Sequence, residues 1–101
     1  MNYQNIDAQT FEGLMQKNDH VVIDVRSQQE YAEGKIDPHT LINFFESDFK
    51  SKIEKLDPSK TYLVYCRSGN RSGKACAMMG QMGFDNLYNL EGGIGAWNAK
   101  G

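Results

Sequence analysis

Cysteine and proline are both scarce, with two of each in 101 residues. Two thiols are too few to staple a disulfide scaffold, and the spacing of Cys66 and Cys76 matches no zinc or redox Cys-x-x-Cys pair. The fold must therefore rest on a hydrophobic core, and a chain of this length supports one, in a single domain spanning residues 1–101. Excess charge is missing too. A net charge of −2 argues against nucleic acid or an anionic membrane as a partner reached by bulk electrostatics. No apolar run is long enough to cross a bilayer. The opening residues, Met1 to Asn5, lack the basic and apolar regions of a signal peptide, so the expected location is cytoplasmic. Linkers, repeats and low-complexity runs are absent as well.

What is present is an alternation of short strands and helices. Asn2 to Ile6 reads as a strand, and Asp7 can cap a helix with Phe11, Leu14 and Met15 on one face. The nearly continuous apolar run Val21-Val22-Ile23-Asp24-Val25 predicts a strand buried on both sides of a parallel sheet. Ser27 and Glu30 have capping-box spacing for a short helix that Gly34 stops. Leu41 to Phe44 reads as the next strand. Phe45, Phe49, Ile53 and Leu56 follow at helical spacing up to Asp57-Pro58. Tyr62 to Tyr65 predicts a strand running into Cys66, Ser72 to Met82 a helix closed by Gly83, and Leu87 to Leu90 a last strand. Gly92-Gly93 precedes a final helical turn carrying Trp97. This order implies right-handed crossovers and an α/β fold with a mostly parallel sheet. Ligands then bind beyond the carboxyl ends of the strands, where Cys66, Asp24 and Arg26 fall.

The segment Cys66-Arg67-Ser68-Gly69-Asn70-Arg71-Ser72 carries the chemistry. Gly69 and Asn70 tolerate left-handed backbone angles, so the loop can curl and aim successive N–H groups inward as an anion nest. The helix behind it adds unpaired N–H groups and a partial positive charge. Such surroundings favour a thiolate, so Cys66 is expected to titrate below a free thiol. Arginine is rare here: only Arg26, Arg67 and Arg71, against eight lysines, and all three fall at the expected mouth of the site. Arg26 also has a structural reading, as the ion-pair partner of Glu30 or Asp24.

These residues make the chain resemble a single-domain rhodanese. Val22-Ile23-Asp24-Val25-Arg26 with Glu30-Tyr31 and Gly34 is similar to the family's first signature, Val64 to Ser72 to its active-site loop, and Leu90-Glu91-Gly92-Gly93-Ile94 with Trp97 to its closing signature. The resemblance implies a rhodanese-like, five-stranded sheet with helices on both faces. It implies a sulfurtransferase in which Cys66 takes sulfane sulfur from a small anionic donor such as thiosulfate. The resulting persulfide passes that sulfur to cyanide in an assay, or to a thiol or protein acceptor in cells. Arg67, Ser68, Gly69, Asn70, Arg71 and Ser72 would bind the substrate or persulfide, and Asp24 and Arg26 would support the loop. No metal or organic cofactor is implied. A monomer or weak homodimer is expected. The segment Gly34-Lys35-Ile36-Asp37-Pro38-His39-Thr40-Leu41 departs from the family's Gly-His-Ile-Pro-Gly-Ala, which leaves open what Lys35 and His39 do.

Rival readings are weaker. A phosphatase or arsenate reductase sets its cysteine in a Cys-x5-Arg loop that wraps a tetrahedral phosphate, whereas Arg71 closes a Cys-x4-Arg loop. Gly69 to Ala75 has one residue too few for a P-loop and no Ser or Thr for magnesium, and Gly92-Gly93-Ile94-Gly95 is a tight turn, not a dinucleotide fingerprint. A non-catalytic module that docks a partner or senses oxidants stands as the alternative of another class. Cys76 reads as a small core residue, with a resolving thiol as its second reading. Met78, Met79 and Met82 read as core and Trp97 as an anchor for the last helix.

Overall fold

A computed structural model describes residues 3–36 and 40–100. Five strands and five helices alternate along the chain: β1 (Gln4–Ile6), α1 (Ala8–Met15), β2 (His20–Asp24), α2 (Gln28–Ala32), β3 (Thr40–Leu41), α3 (Phe49–Glu54), β4 (Thr61–Tyr65), α4 (Asn70–Gln81), β5 (Asn86–Leu90) and α5 (Gly93–Ala99). The strands form one sheet in the order β1-β5-β4-β2-β3, and every pairing is parallel.

Strand alternation explains the two-sided core. In β4, Tyr62 and Val64 face one side with Ile23 and Val25, beneath Phe49 and Ile53 of α3 and Ala75, Cys76 and Met79 of α4. Leu63 and Tyr65 face the other with Val22, against Ala8 and Phe11 of α1 and Ile94 of α5. Each large apolar side chain buried here contributes about 1.5–3 kcal/mol relative to exposure. With both faces covered, the central strands β2, β4 and β5 have no solvent side, which is why their sequences barely alternate.

The helix starts follow their caps. Asp7 accepts from the Thr10 N–H at 2.8 Å to open α1. Ser27 and Glu30 form the complete capping box of α2. Two expectations are corrected. Leu41 to Phe44 is not a four-residue strand, since β3 ends at Leu41. The Ile42 and Phe44 N–H groups still reach Asp24 O and Val25 O, but Asn43 Oδ1 takes the Phe45 N–H and turns the chain. Phe45 therefore lies outside α3, which opens only at Phe49. Its side chain is 71 % exposed, lying against Phe44 and the Arg71 guanidinium. No helix is long and apolar enough to cross a membrane among the described residues.

Candidate active site

Strand β4 is the middle of the sheet, and its carboxyl end delivers the chain into the loop 66–69 that leads to α4. Helix α4 starts at Asn70, two residues earlier than the sequence suggests. Asn70 is therefore helical, and the left-handed turn falls on Gly69 alone, at φ 97°. A Cβ there would sit 3.1 Å from Leu90 O in a strained backbone, so the turn favours glycine.

The turn directs donors at one sulfur. Cys66 Sγ accepts from the Gly69 N–H at 3.1 Å and the Ser72 N–H at 3.4 Å, and the Ser72 hydroxyl lies 3.3 Å away. Burial by itself pushes the Cys66 thiol up. Hydrogen bonds from the Ser72 hydroxyl and from the Ser72, Gly69 and Ser68 amides outweigh it and hold the thiol below its ordinary value. The loop itself is exposed at Arg67, Ser68 and Asn70, but residue 66 is 0 % exposed.

A second glycine turn, unremarked by sequence reasoning as part of the site, locks this arch from the far side. Gly93 has φ 63°, and a Cβ on it would fall 2.3 Å from Arg67 O and 2.5 Å from Cys66 O. The Ile94 N–H donates to Cys66 O at 2.9 Å. With its carbonyl tied to the start of α5, the loop is held in the arrangement that turns the later amides toward the sulfur. Asn89 is another residue not singled out from the sequence. Buried on β5, it accepts from the Ser72 hydroxyl and donates through Nδ2 to Gly69 O at 3.0 Å and Asn5 Oδ1 at 2.9 Å. The available signals were an Asn inside an apolar strand and a Gly-Gly pair directly after it.

The charged residues divide. Asp24, fully buried, accepts from the Arg26 backbone N–H, Nε and Nη2 and from the Tyr65 hydroxyl at 2.9 Å. Arg26, 3 % exposed, also reaches Glu30 O and Gly34 O. This pair meets the strand beneath the loop at Tyr65, whose hydroxyl also takes the Ile36 N–H at 3.0 Å. Arg71 does face the site, but Glu30 grips it with two bonds of 2.8 and 2.7 Å. Those bonds hold the Glu30 carboxyl at about 2. Arg67 is exposed, and no ion pair or hydrogen bond engages its guanidinium among the described residues. It lines a cleft of about 150 Å³ with Arg26, Glu30 and Glu33. Ser68 and Asn70 are exposed on the loop's outer surface. Lys35 is exposed, with its ammonium over the Tyr31 ring, and His39 lies outside the described residues. A larger cleft, about 390 Å³, lies between Asp7, Ala8, Ala96 and Lys100 and is lined by no cysteine, so chemistry rather than size marks the site.

Among the described residues no group of three or more His, Cys, Asp or Glu is placed to hold a metal. The arrangement offers a sulfur in an amide nest, with the Arg67 guanidinium, unpaired among the described residues, on the same loop.

Comparison with known proteins gives a consistent picture. The family profile for the Rhodanese-like domain matches residues 7–100. YtwF of Bacillus subtilis, whose name assigns it provisionally to the sulfurtransferases, is 40% identical over 79 residues, covering 78% of this chain and 74% of that protein. A sulfurtransferase of Allochromatium vinosum is 32% identical over 102 residues, covering 95% and 89%. A rhodanese-related protein from Thermoplasma volcanium superposes with a TM-score of 0.84 at 31% identity, covering 98% and 94%. Other relatives are longer and named differently: a tRNA uridine(34) hydroxylase of Cytophaga hutchinsonii is 34% identical over 94 residues, but the match spans 30% of its length.

Proposed function

The chain belongs to the rhodanese-like domain family, and from that premise we propose that it transfers sulfane sulfur from thiosulfate or a similar small anionic donor to a thiol, through a persulfide on Cys66. Relatives named as sulfurtransferases support the transferase class. The observation that carries the finer reading is the convergence of the Gly69 and Ser72 amides and the Ser72 hydroxyl on one sulfur. Those donors favour the charged nucleophile at neutral pH, and the same ring suits the negative terminal sulfur of a persulfide.

In the first half-reaction the Cys66 thiolate attacks the outer sulfur of the donor. The S–S bond of thiosulfate breaks and its electron pair leaves on sulfite. In the second, an acceptor thiolate attacks the terminal sulfur of the Cys66 persulfide. That S–S bond breaks, the acceptor leaves as a persulfide, and Cys66 regains its thiolate. Two displacements replace one difficult transfer, and no outside oxidant or reductant is needed. The Arg67 guanidinium steers the anionic donor, while Arg71 contributes less, because Glu30 neutralises it. Since residue 66 has no exposed surface, both attacks require residues 67–70 to move aside.

The test is to treat the protein with thiosulfate and weigh it intact. One sulfur atom should add to the wild type, come off with cyanide or dithiothreitol, and be absent from Cys66→Ser. Equal addition to Cys66→Ser would refute the assignment. The complete burial of residue 66 favours a second reading, a partner-docking module without turnover. It predicts a folded wild type that takes up no sulfur from any donor.

A further inference from the structure

The Ser72 hydroxyl has two claimants. Its oxygen lies 3.3 Å from Cys66 Sγ and 2.5 Å from Asn89 Oδ1. A hydroxyl carries one proton and can donate it to one of them at a time. The orientation of the Asn89 amide is not free, because its Nδ2 donates to Gly69 O and Asn5 Oδ1. Turning the amide over would set two carbonyl oxygens against each other at Gly69. Asn89 therefore shows Ser72 an acceptor only, and the short contact requires the serine's proton.

We propose that Asn89 is a positioning residue that competes with the Cys66 thiolate for the proton of the Ser72 hydroxyl, so that the hydroxyl's direction and the sulfur's charge change together. The inference rests on Cys66 ionising, as in the function proposed above. While the sulfur is protonated, its S–H donates to Ser72 Oγ and the Ser72 O–H donates to Asn89 Oδ1. Every group in that chain is satisfied. When the sulfur gives its proton to solvent, the hydroxyl swings to Sγ and the buried Asn89 oxygen loses its donor, which opposes ionisation. Persulfide formation reverses the move. The negative charge passes to the outer sulfur, Sγ becomes a neutral thioether-like atom, and the hydroxyl returns to Asn89.

Among the described residues, the charged and titratable groups that face the site are held in states that do not imitate this competition. Arg71 on α4 is paired with Glu30 of α2, and Arg26 after β2 with Asp24. Cys76 on α4 is pushed up to about 12 by burial and by the Cys66 charge, and burial raises Tyr65 of β4 as well.

The measurement is the pH dependence of iodoacetamide alkylation at Cys66, followed by peptide mass in wild type, Asn89→Leu, Ser72→Ala and the double variant. Asn89→Leu commits the hydroxyl to the sulfur and should lower the Cys66 midpoint, giving about tenfold more thiolate on the acid side of the titration. That gain should vanish when Ser72→Ala is also present. If Asn89 acted only by holding Gly69 O, its loss would loosen the nest and raise the midpoint with or without Ser72. A rise, no change, or a fall that persists beside Ser72→Ala would each overturn the proposal. Should Asn89→Leu fail to fold, the infrared S–H band of Cys66 at acid pH decides. It should move to higher frequency in Ser72→Ala, and an unmoved band would overturn the proposal. Neither measurement involves a sulfur donor, so a protein that takes up no sulfur would still report on this competition.

Discussion

Cys66 and Cys76 are both 0 % exposed, belong to the same buried cluster, and end up with opposite chemistry. Cys76 sits mid-helix, where its backbone N–H is spent on the helix and its sulfur points at Tyr88 O, 3.8 Å away. Burial, with the Cys66 charge behind it, pushes Cys76 up to about 12, and a carbonyl, which can only accept, suits the protonated thiol. Cys66 lies at the end of a strand, where the backbone turns and offers N–H groups that no helix or sheet has claimed. Neither sulfur reaches the surface. What differs is whether the surrounding dipoles present hydrogen or oxygen to the sulfur.

The largest expected consequence is selective reactivity. At pH 7 a thiol near 12 is on the order of 10⁻⁵ ionised, whereas the Cys66 thiol, held below its ordinary value by the amides and the Ser72 hydroxyl, yields far more thiolate. Iodoacetamide should therefore modify Cys66 at least about a thousandfold faster than Cys76 in the native protein. Peptide mapping reads this directly, and equal labelling of the folded protein would erase the distinction. The Cys66 rate should rise with pH and level off at a midpoint below that of a free thiol.

The next effect falls on the clamp that holds the loop. Gly93→Ala places a methyl group on Arg67 O, whereas Gly95→Ala, two residues further along α5, meets nothing within 4 Å. Displacing the loop by about 1 Å should cost on the order of a hundredfold in sulfur transfer, with Gly95→Ala close to wild type. Steady-state rates with thiosulfate and cyanide compare the two. Equal rates would mean that the contact between α5 and the loop does not position the amides.

The sequence exposed one half of this site far better than the other. The apolar runs, the Asp7 and Ser27 caps and the strand that ends at Cys66 are local signals, and the structure follows them closely. The nest could be inferred because its residues are contiguous. The residues that brace it from β5 and α5 could not. Asn89 and Gly93 reach the loop only because β5 lies beside β4, and nothing at positions 89 or 93 says which carbonyl or hydroxyl will face them. Arg71 and Glu30 are far apart in the chain, so spacing alone offered Arg71 to the substrate as readily as to Glu30. Phe45 kept helical spacing with Phe49, but the Asn43 side chain intervened by capping a turn.

That Arg71–Glu30 pair supplies a third, smaller contrast. Glu30 is held at about 2, against 4.5 for an ordinary glutamate, chiefly by the Arg71 bonds. Its folded value is depressed, so its contribution is complete above about pH 5 and is lost as the pH falls toward 2. Allowing for partial exposure, Glu30→Gln should cost on the order of 2 kcal/mol at pH 7 in urea unfolding. The gap to wild type should narrow by pH 3. The same substitution leaves the Arg71 charge uncompensated and should lower the Cys66 midpoint, while leaving Cys76 inert.

The smallest effect tests whether Cys76 takes part at all. Cys76→Ala removes one sulfur from a packed face formed by Ala75, Met79 and Leu87, which should cost about 1 kcal/mol through the void it leaves. A silent core residue predicts nothing more. Thiosulfate should still load one sulfur atom, and the Cys66 midpoint should move little, since the neutral Cys76 thiol exerts no net charge on it. A resolving thiol predicts otherwise: peroxide would form a Cys66–Cys76 disulfide in wild type and leave a stable sulfenic acid in the variant. With Cys76 nearly free of thiolate at neutral pH, attack on an oxidised Cys66 has almost no nucleophile to draw on. Non-reducing peptide maps after peroxide should therefore match in the two proteins apart from the missing thiol, and a Cys66–Cys76 cross-link in the wild type would show that the groups facing each sulfur do not keep Cys76 out of the chemistry.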